Sequence, residues 1–203
     1  MRICLYSLGD ACNMRCSFCI RGKHENSFPP CEILIEDAIK FRSYLDNLSP
    51  CEERITISGG EPTLVSNLFS IYDVLTGQNT KVLQLNSNAT ASPDVYNKLY
   101  EYAEKRNLQF RLVLAFHEEF MNLERYKNLI SNLDFNPVPQ MVQTESNLEL
   151  VKKFKELFPN STISKVRKVG EPSSAIRNPD GFFVMQCGKE PHQKIEIKGE
   201  NYV

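Results

Sequence analysis

Short apolar runs alternate with helical stripes along most of the chain, and this alternation restricts the fold more than any other feature. Runs at 3–7, 54–58, 81–86, 109–116, 138–142 and 162–166 have strand length and β-branched or aromatic content. Between the first two, Leu34, Ala38, Phe41, Leu45 and Leu48 fall on one helical face. Leu64, Leu68, Ile71 and Leu75 form a second stripe, introduced by Pro62 at a first-turn position. Ser92-Pro93-Asp94 opens a third helix, with Val95, Leu99 and Tyr102 inward. A fourth carries Phe120, Leu123, Ile130 and Leu133, and Ser146-Asn-Leu-Glu149 reads as a capping box for a fifth with Val151, Phe154 and Phe158. Strands that alternate one by one with helices pair in parallel through right-handed crossovers. The resulting α/β sheet is either open and doubly wound or curled into part of a barrel, and the count of elements fits both.

From about residue 170 the texture changes. Gly170-Glu-Pro-Ser-Ser174 and Asn178-Pro-Asp-Gly181 are turn signals, and 193–203 reads as a short β-hairpin. The expected division is a core over 1–169 and a C-terminal extension over 170–203 that is no independent domain. A formal net charge of −1 argues against a nucleic-acid surface built on bulk charge. No apolar run is long enough to cross a bilayer, and the first charges come too early for a secretory signal.

Seven cysteines is an odd number, which favours a reducing, cytoplasmic setting over a disulfide framework. Three of them, Cys12, Cys16 and Cys19, lie in Ala11-Cys-Asn-Met-Arg-Cys-Ser-Phe-Cys19, close enough for one loop to aim three thiolates at a single inorganic centre. Soft thiolates select zinc, copper(I) or iron–sulfur clusters. Zinc calls for a fourth protein ligand, which His24 or Cys31 would supply in a zinc-stabilised binding module. A four-iron cluster held by three cysteines instead leaves one iron open to a further ligand. Cys4 and Cys51 read as structural.

The cysteine spacing, with Phe18 before the third cysteine, resembles the Cys-x3-Cys-x-aromatic-Cys signature of the radical S-adenosylmethionine (radical SAM) enzymes. Gly59-Gly60-Glu61-Pro62, directly after a strand-like run, resembles the family's Gly-Gly-Glu-Pro motif and follows in the family's order. The resemblance covers roughly residues 1–170. It implies a six-stranded parallel partial (β/α)6 barrel, here with a short C-terminal β-hairpin extension of SPASM or twitch type. It implies a 4Fe-4S cluster and S-adenosyl-L-methionine (SAM) as cofactors, with SAM cleaved reductively to a 5′-deoxyadenosyl radical. The electron would come from a donor such as flavodoxin or ferredoxin.

On this resemblance Cys12, Cys16 and Cys19 are the metal ligands and the backbone at Phe18 lies against the adenine. Gly59, Gly60 and Glu61 meet the methionine amine, the glycines letting the backbone approach a ligand closely. Ser87-Asn88-Ala89 resembles a Thr-Asn-Gly found near the ribose and carboxylate of SAM, with alanine in place of the glycine. His117, after the fourth strand, stands where relatives place a serine or histidine facing SAM or substrate, and is the expected catalytic residue. Each has a plainer structural reading: a core aromatic for Phe18, a strand-to-helix turn for the glycines, a polar loop for Ser87 and Asn88, a helix-start residue for His117. Glu118 and Glu119 read as first-turn acids that suit a helix dipole. Gln140 and Gln143 are candidates to line the pocket, and Arg167 and Lys168 to meet an anionic substrate. Cys187-Gly188 resembles the opening of an auxiliary-cluster extension, but no cysteine follows to complete one.

The expected function is hydrogen abstraction from a peptide or small-molecule substrate. The alternatives are a nucleotide- or base-modifying radical SAM enzyme, a glycyl-radical activating enzyme, or the zinc-stabilised binding module.

Overall fold

The computed structural model describes residues 1–19, 27–166 and 182–185. The elements run β1 (Arg2–Ser7), α1 (Cys31–Asp46), β2 (Glu53–Ser58), a 3-10 turn (Pro62–Leu64), α2 (Leu68–Leu75), β3 (Thr80–Ser87) and α3 (Pro93–Glu104). They continue with β4 (Gln109–Phe116), α4 (Leu123–Ser131), β5 (Val138–Gln143), α5 (Leu148–Leu157), β6 (Thr162–Lys165) and β7 (Phe182–Met185). One sheet contains all seven strands, in the order β6-β5-β4-β3-β2-β1-β7. From β1 to β6 every spatial neighbour is the next strand in the chain, and every pair is parallel. A doubly wound sheet reverses direction at a switch point. This one does not, so the crossovers of one hand place the helices on one face and the sheet closes around the other. That strand order decides for the partial barrel.

The helix-facing side of the sheet is the core. Tyr6 stacks on Phe41 of α1 at 5.9 Å and donates its hydroxyl to the Leu34 carbonyl at 2.7 Å. Phe116 at the end of β4 meets Tyr126 of α4 and Phe154 of α5 at 5.3 and 5.5 Å. At the amino end of the strands, Glu53 is fully buried and accepts from Arg2 Nη1 at 3.1 Å and Arg42 Nη1 at 2.7 Å, which ties β1 and α1 to β2. The other face is lined by the alternate residues, and there Gln140 donates to Ser164 Oγ at 2.9 Å.

Three helix starts differ from the sequence reading. Pro62 opens a separate 3-10 turn, with Leu64 49% exposed, and α2 begins only at Leu68. Asn122 Oδ1 accepts from the Arg125 amide at 2.9 Å and starts α4 after Phe120, which lies in the preceding turn. The capping box of α5 does not form. Asn147 is the N-cap; its Oδ1 accepts from the Thr144 amide at 2.8 Å, while its amide donates to Glu118 Oε1 and the Val142 carbonyl, both at 3.0 Å. Strand β7, which sequence reading did not assign, runs antiparallel beside β1. The hairpin at 193–203, Cys187, His24, Arg167 and Lys168 lie outside the described residues.

Candidate active site

Parallel strands bring all their carboxyl ends to one edge, and every residue singled out from the motifs emerges there. The cysteines follow β1, Gly59-Gly60-Glu61 follow β2, Ser87 and Asn88 close β3, and His117 follows β4. The pairing of β1 with β2 continues beyond the strand ends. Leu8 N donates to Ser58 O at 2.9 Å, Gly60 N to Gly9 O at 2.8 Å and Glu61 N to Ala11 O at 2.9 Å. Gly59 has a φ of +142°, and a Cβ there would lie 2.8 Å from Gly9 O; a Cβ on Gly60 would overlap the Ala11 carbonyl. The groups packed closely against both glycines are the chain's own backbone, Gly9 to Ala11, which leads directly into Cys12.

Glu61 is fully enclosed, and its carboxylate joins the ends of β2 and β3. Oε1 accepts from Thr63 N at 3.0 Å, Thr63 Oγ1 at 2.6 Å and Ser87 Oγ at 2.9 Å; Oε2 accepts from Asn88 N at 2.6 Å. Burial pushes its pKa up, and the four donors pull the other way. Ser87 Oγ also meets the Tyr96 hydroxyl at 2.8 Å. Asn88 carries the network to the cysteine loop. Its amide donates to Asn13 Oδ1 at 2.8 Å and points at Cys12 Sγ from 3.6 Å, while its Oδ1 accepts from Thr90 Oγ1 at 2.6 Å. Ala89 adopts φ 62°, so alanine keeps the left-handed turn that glycine would make easily.

The second anchor of the loop comes from β4. The Ser17 amide donates to Glu119 Oε2 at 3.0 Å, and the Ser17 hydroxyl donates to Glu119 Oε1. Phe18 stacks on the His117 ring at 5.6 Å and 9°, and His117 Nδ1 lies 3.4 Å from Cys16 Sγ. Burial lowers the His117 pKa, and the nearby Glu119 carboxylate pulls the other way. Glu118 and Glu119 therefore do not serve the start of α4. One reaches Asn147 and the other holds the cysteine loop, contacts that no local pattern signals.

The three cysteines are partly exposed free thiols. Burial, then Cys19, Glu119 and Cys12, push the Cys16 thiol up to about 12. Met14 N donates to Cys12 Sγ at 3.4 Å, joining the Asn88 amide there. Soft thiolates are the ligand type an iron–sulfur cluster takes, and two N–H donors already meet Cys12 Sγ; among the described residues no three Cys, His, Asp or Glu side chains are gathered to hold a metal ion.

A partial (β/α) barrel with a three-cysteine loop at the carboxyl ends of its strands defines a class of cluster-bearing enzyme. The sequence profile of the Radical SAM superfamily matches residues 6–165, and the chain belongs to that superfamily. Among curated proteins none matches the chain at a significant level. Its members are enzymes that use a 4Fe-4S cluster and S-adenosylmethionine, act on a substrate and take electrons from a reductant. Among the described residues no helix is long and apolar enough to cross a membrane.

The packing of His117 yields one prediction. A stacked ring pair contributes roughly 0.5–1.5 kcal/mol beyond its area, so His117→Ala should lower the melting temperature by a few degrees and loosen the cluster. His117→Phe keeps the stack and loses the nitrogen. It should regain the melting temperature but not the visible absorbance of the wild type. An alanine variant that melts like the wild type and keeps its colour would return His117 to a substrate-facing role.

Proposed function

We propose that this chain is a radical SAM enzyme that abstracts hydrogen from a peptide or small-molecule substrate held inside the half-barrel. The observation that supports it best is the convergence of cysteine loop, Gly59-Gly60-Glu61 and Ser87-Asn88 on one mouth, above a sheet face lined with polar side chains. On this reading Cys12, Cys16 and Cys19 hold the cluster, which when reduced supplies the electron that cleaves SAM. Met14 N–H and the Asn88 amide disperse charge at Cys12 Sγ. Phe18 presents its backbone to the adenine. Because the Gly60 and Glu61 amides and the Glu61 carboxylate are already engaged, the acceptors offered to the methionine ammonium are main-chain carbonyls of Gly59 and Gly60. Ser87 braces Glu61, Asn88 aligns the cysteine loop, and His117 acts as a positioning residue behind Cys16. The electron donor is a flavodoxin or ferredoxin.

Deuterium transfer tests the substrate class. With deuterated peptides or a deuterated metabolite pool as substrate, 5′-deoxyadenosine should gain deuterium. Label arriving only from deuterated RNA would support the base-modifying alternative, and label from a glycine of a partner protein the activating one.

A further inference from the structure

The inner face of the sheet carries a group of polar side chains that the cysteine edge does not use. Register places Thr56 of β2 opposite Gln84 of β3, and Gln84 opposite Arg111 of β4. Arg54 lies two residues before Thr56 on the same face, while Ile55, Ile57, Leu83, Leu85 and Leu112 point to the helices. Among the described residues, three buried atoms of this group have no partner: Arg54 Nε, Thr56 Oγ1 and Gln84 Oε1. Thr56 is only 4% exposed. Gln84 has its amide nitrogen engaged by Asn86 Oδ1 at 2.9 Å, leaving the oxygen unmatched. The charge that acts on Arg54 is a second cation, Arg111, and Glu53 next to it is turned to the other face and held by Arg2 and Arg42.

A buried polar atom without a partner is costly, and the repulsion between Arg54 and the exposed Arg111 adds to that. One oxyanion relieves the repulsion between the two cations and accepts from the donors Arg54 Nε and Thr56 Oγ1. Guanidinium groups grip a carboxylate or phosphate through paired N–H donors, and the Thr56 hydroxyl adds another. Gln84 Oε1 would accept from an N–H or O–H beside the anion. Arg54 precedes Ser58 by four residues, about 13 Å along the strand, and Thr56 by two, about 7 Å, so the group extends down the sheet away from the loops where SAM is expected.

We propose that Arg54, Thr56, Gln84 and Arg111 form an oxyanion site in the lumen that anchors a carboxylate or phosphate at the far end of the substrate. The site rests on the radical SAM reading above and narrows its substrate to an elongated molecule with one anionic end.

The test is a thermal-shift titration of the full-length, cluster-loaded protein with glutarate and with inorganic phosphate, at fixed ionic strength against chloride. One of the two anions should raise the melting temperature by several degrees over chloride, with saturating SAM present or absent. A response to glutarate identifies a carboxylate substrate and a response to phosphate a phosphorylated one. Arg54→Gln should abolish the shift, Arg54→Lys and Arg111→Gln should weaken it, and the exposed control Lys98→Gln should keep it. In chloride alone, Arg54→Gln should be at least as stable as the wild type, since it removes a buried Nε that has no partner and a charge that faces Arg111. Four results overturn the site: no anion-specific shift, a shift that survives Arg54→Gln, a shift abolished by SAM, or an Arg54→Gln protein destabilised in chloride. Cleavage of SAM by the wild type without added substrate tests the underlying reading separately. Intact cleavage without an anion shift removes this site alone.

Discussion

Replacing Glu61 by glutamine should lower the melting temperature by roughly 6–12 °C and leave the cysteine loop poorly held. The carboxylate has four donors around two oxygens and no exposure to water. Glutamine keeps one acceptor and turns an NH2 toward amides or hydroxyls that themselves donate. Leaving a buried donor unmatched costs about 1–3 kcal/mol, and donor facing donor puts the expected loss near the top of that range. For a chain of this size each kcal/mol shifts the melting temperature by roughly 2–4 °C. The effect should extend to the metal site, because Asn88 is fixed by Glu61 and itself holds Asn13 and points at Cys12. Circular dichroism melts and iron content after reconstitution check it. A Glu61→Gln protein with normal stability and iron but weakened SAM binding would place the carboxylate in the amine-binding role suggested by the motif.

Gly60→Val should cost about 3 kcal/mol or more and prevent stable cluster loading. The decisive contact is between a Cβ and the Ala11 carbonyl, both on main chain, so no side-chain rotation relieves it. The Gly60–Gly9 and Glu61–Ala11 hydrogen bonds would part, displacing Cys12. Gly60→Ala carries the same Cβ and should fail nearly as badly. Were Gly60 there only to clear space for SAM, alanine would be tolerated better than valine and both variants would keep their iron. Iron analysis and equilibrium dialysis of SAM on the two variants separate these outcomes.

The strands were legible because each is a short run rich in apolar residues; burial alternates with period 2 in β1 and along most of β4, although in β1 it encloses Arg2 and leaves Ile3 and Leu5 half-buried. The element pattern alone does not choose between an open sheet and a half-barrel, since local patterns do not say which strands are neighbours; the resemblance carried by the cysteine and Gly-Gly-Glu-Pro motifs does. The motif residues all fall at one sheet edge, but their partners are long-range. Ser17 meets Glu119, Asn88 meets Asn13, and Gly60 meets Ala11 across gaps of tens of residues. Glu119 was read as a helix-dipole acid because its sequence neighbours suggest nothing else. Strand β7 escaped notice because four apolar residues among turn signals become a strand only where β1 offers an edge.

Iron analysis of the anaerobically reconstituted protein, read together with SAM cleavage under a strong reductant, tests the central claim most directly. The wild type should be brown, hold about four irons per chain, and release 5′-deoxyadenosine and methionine; Cys16→Ala should do none of these. A colourless, zinc-containing wild type, or a Cys16→Ala protein with full iron and full cleavage, would contradict it.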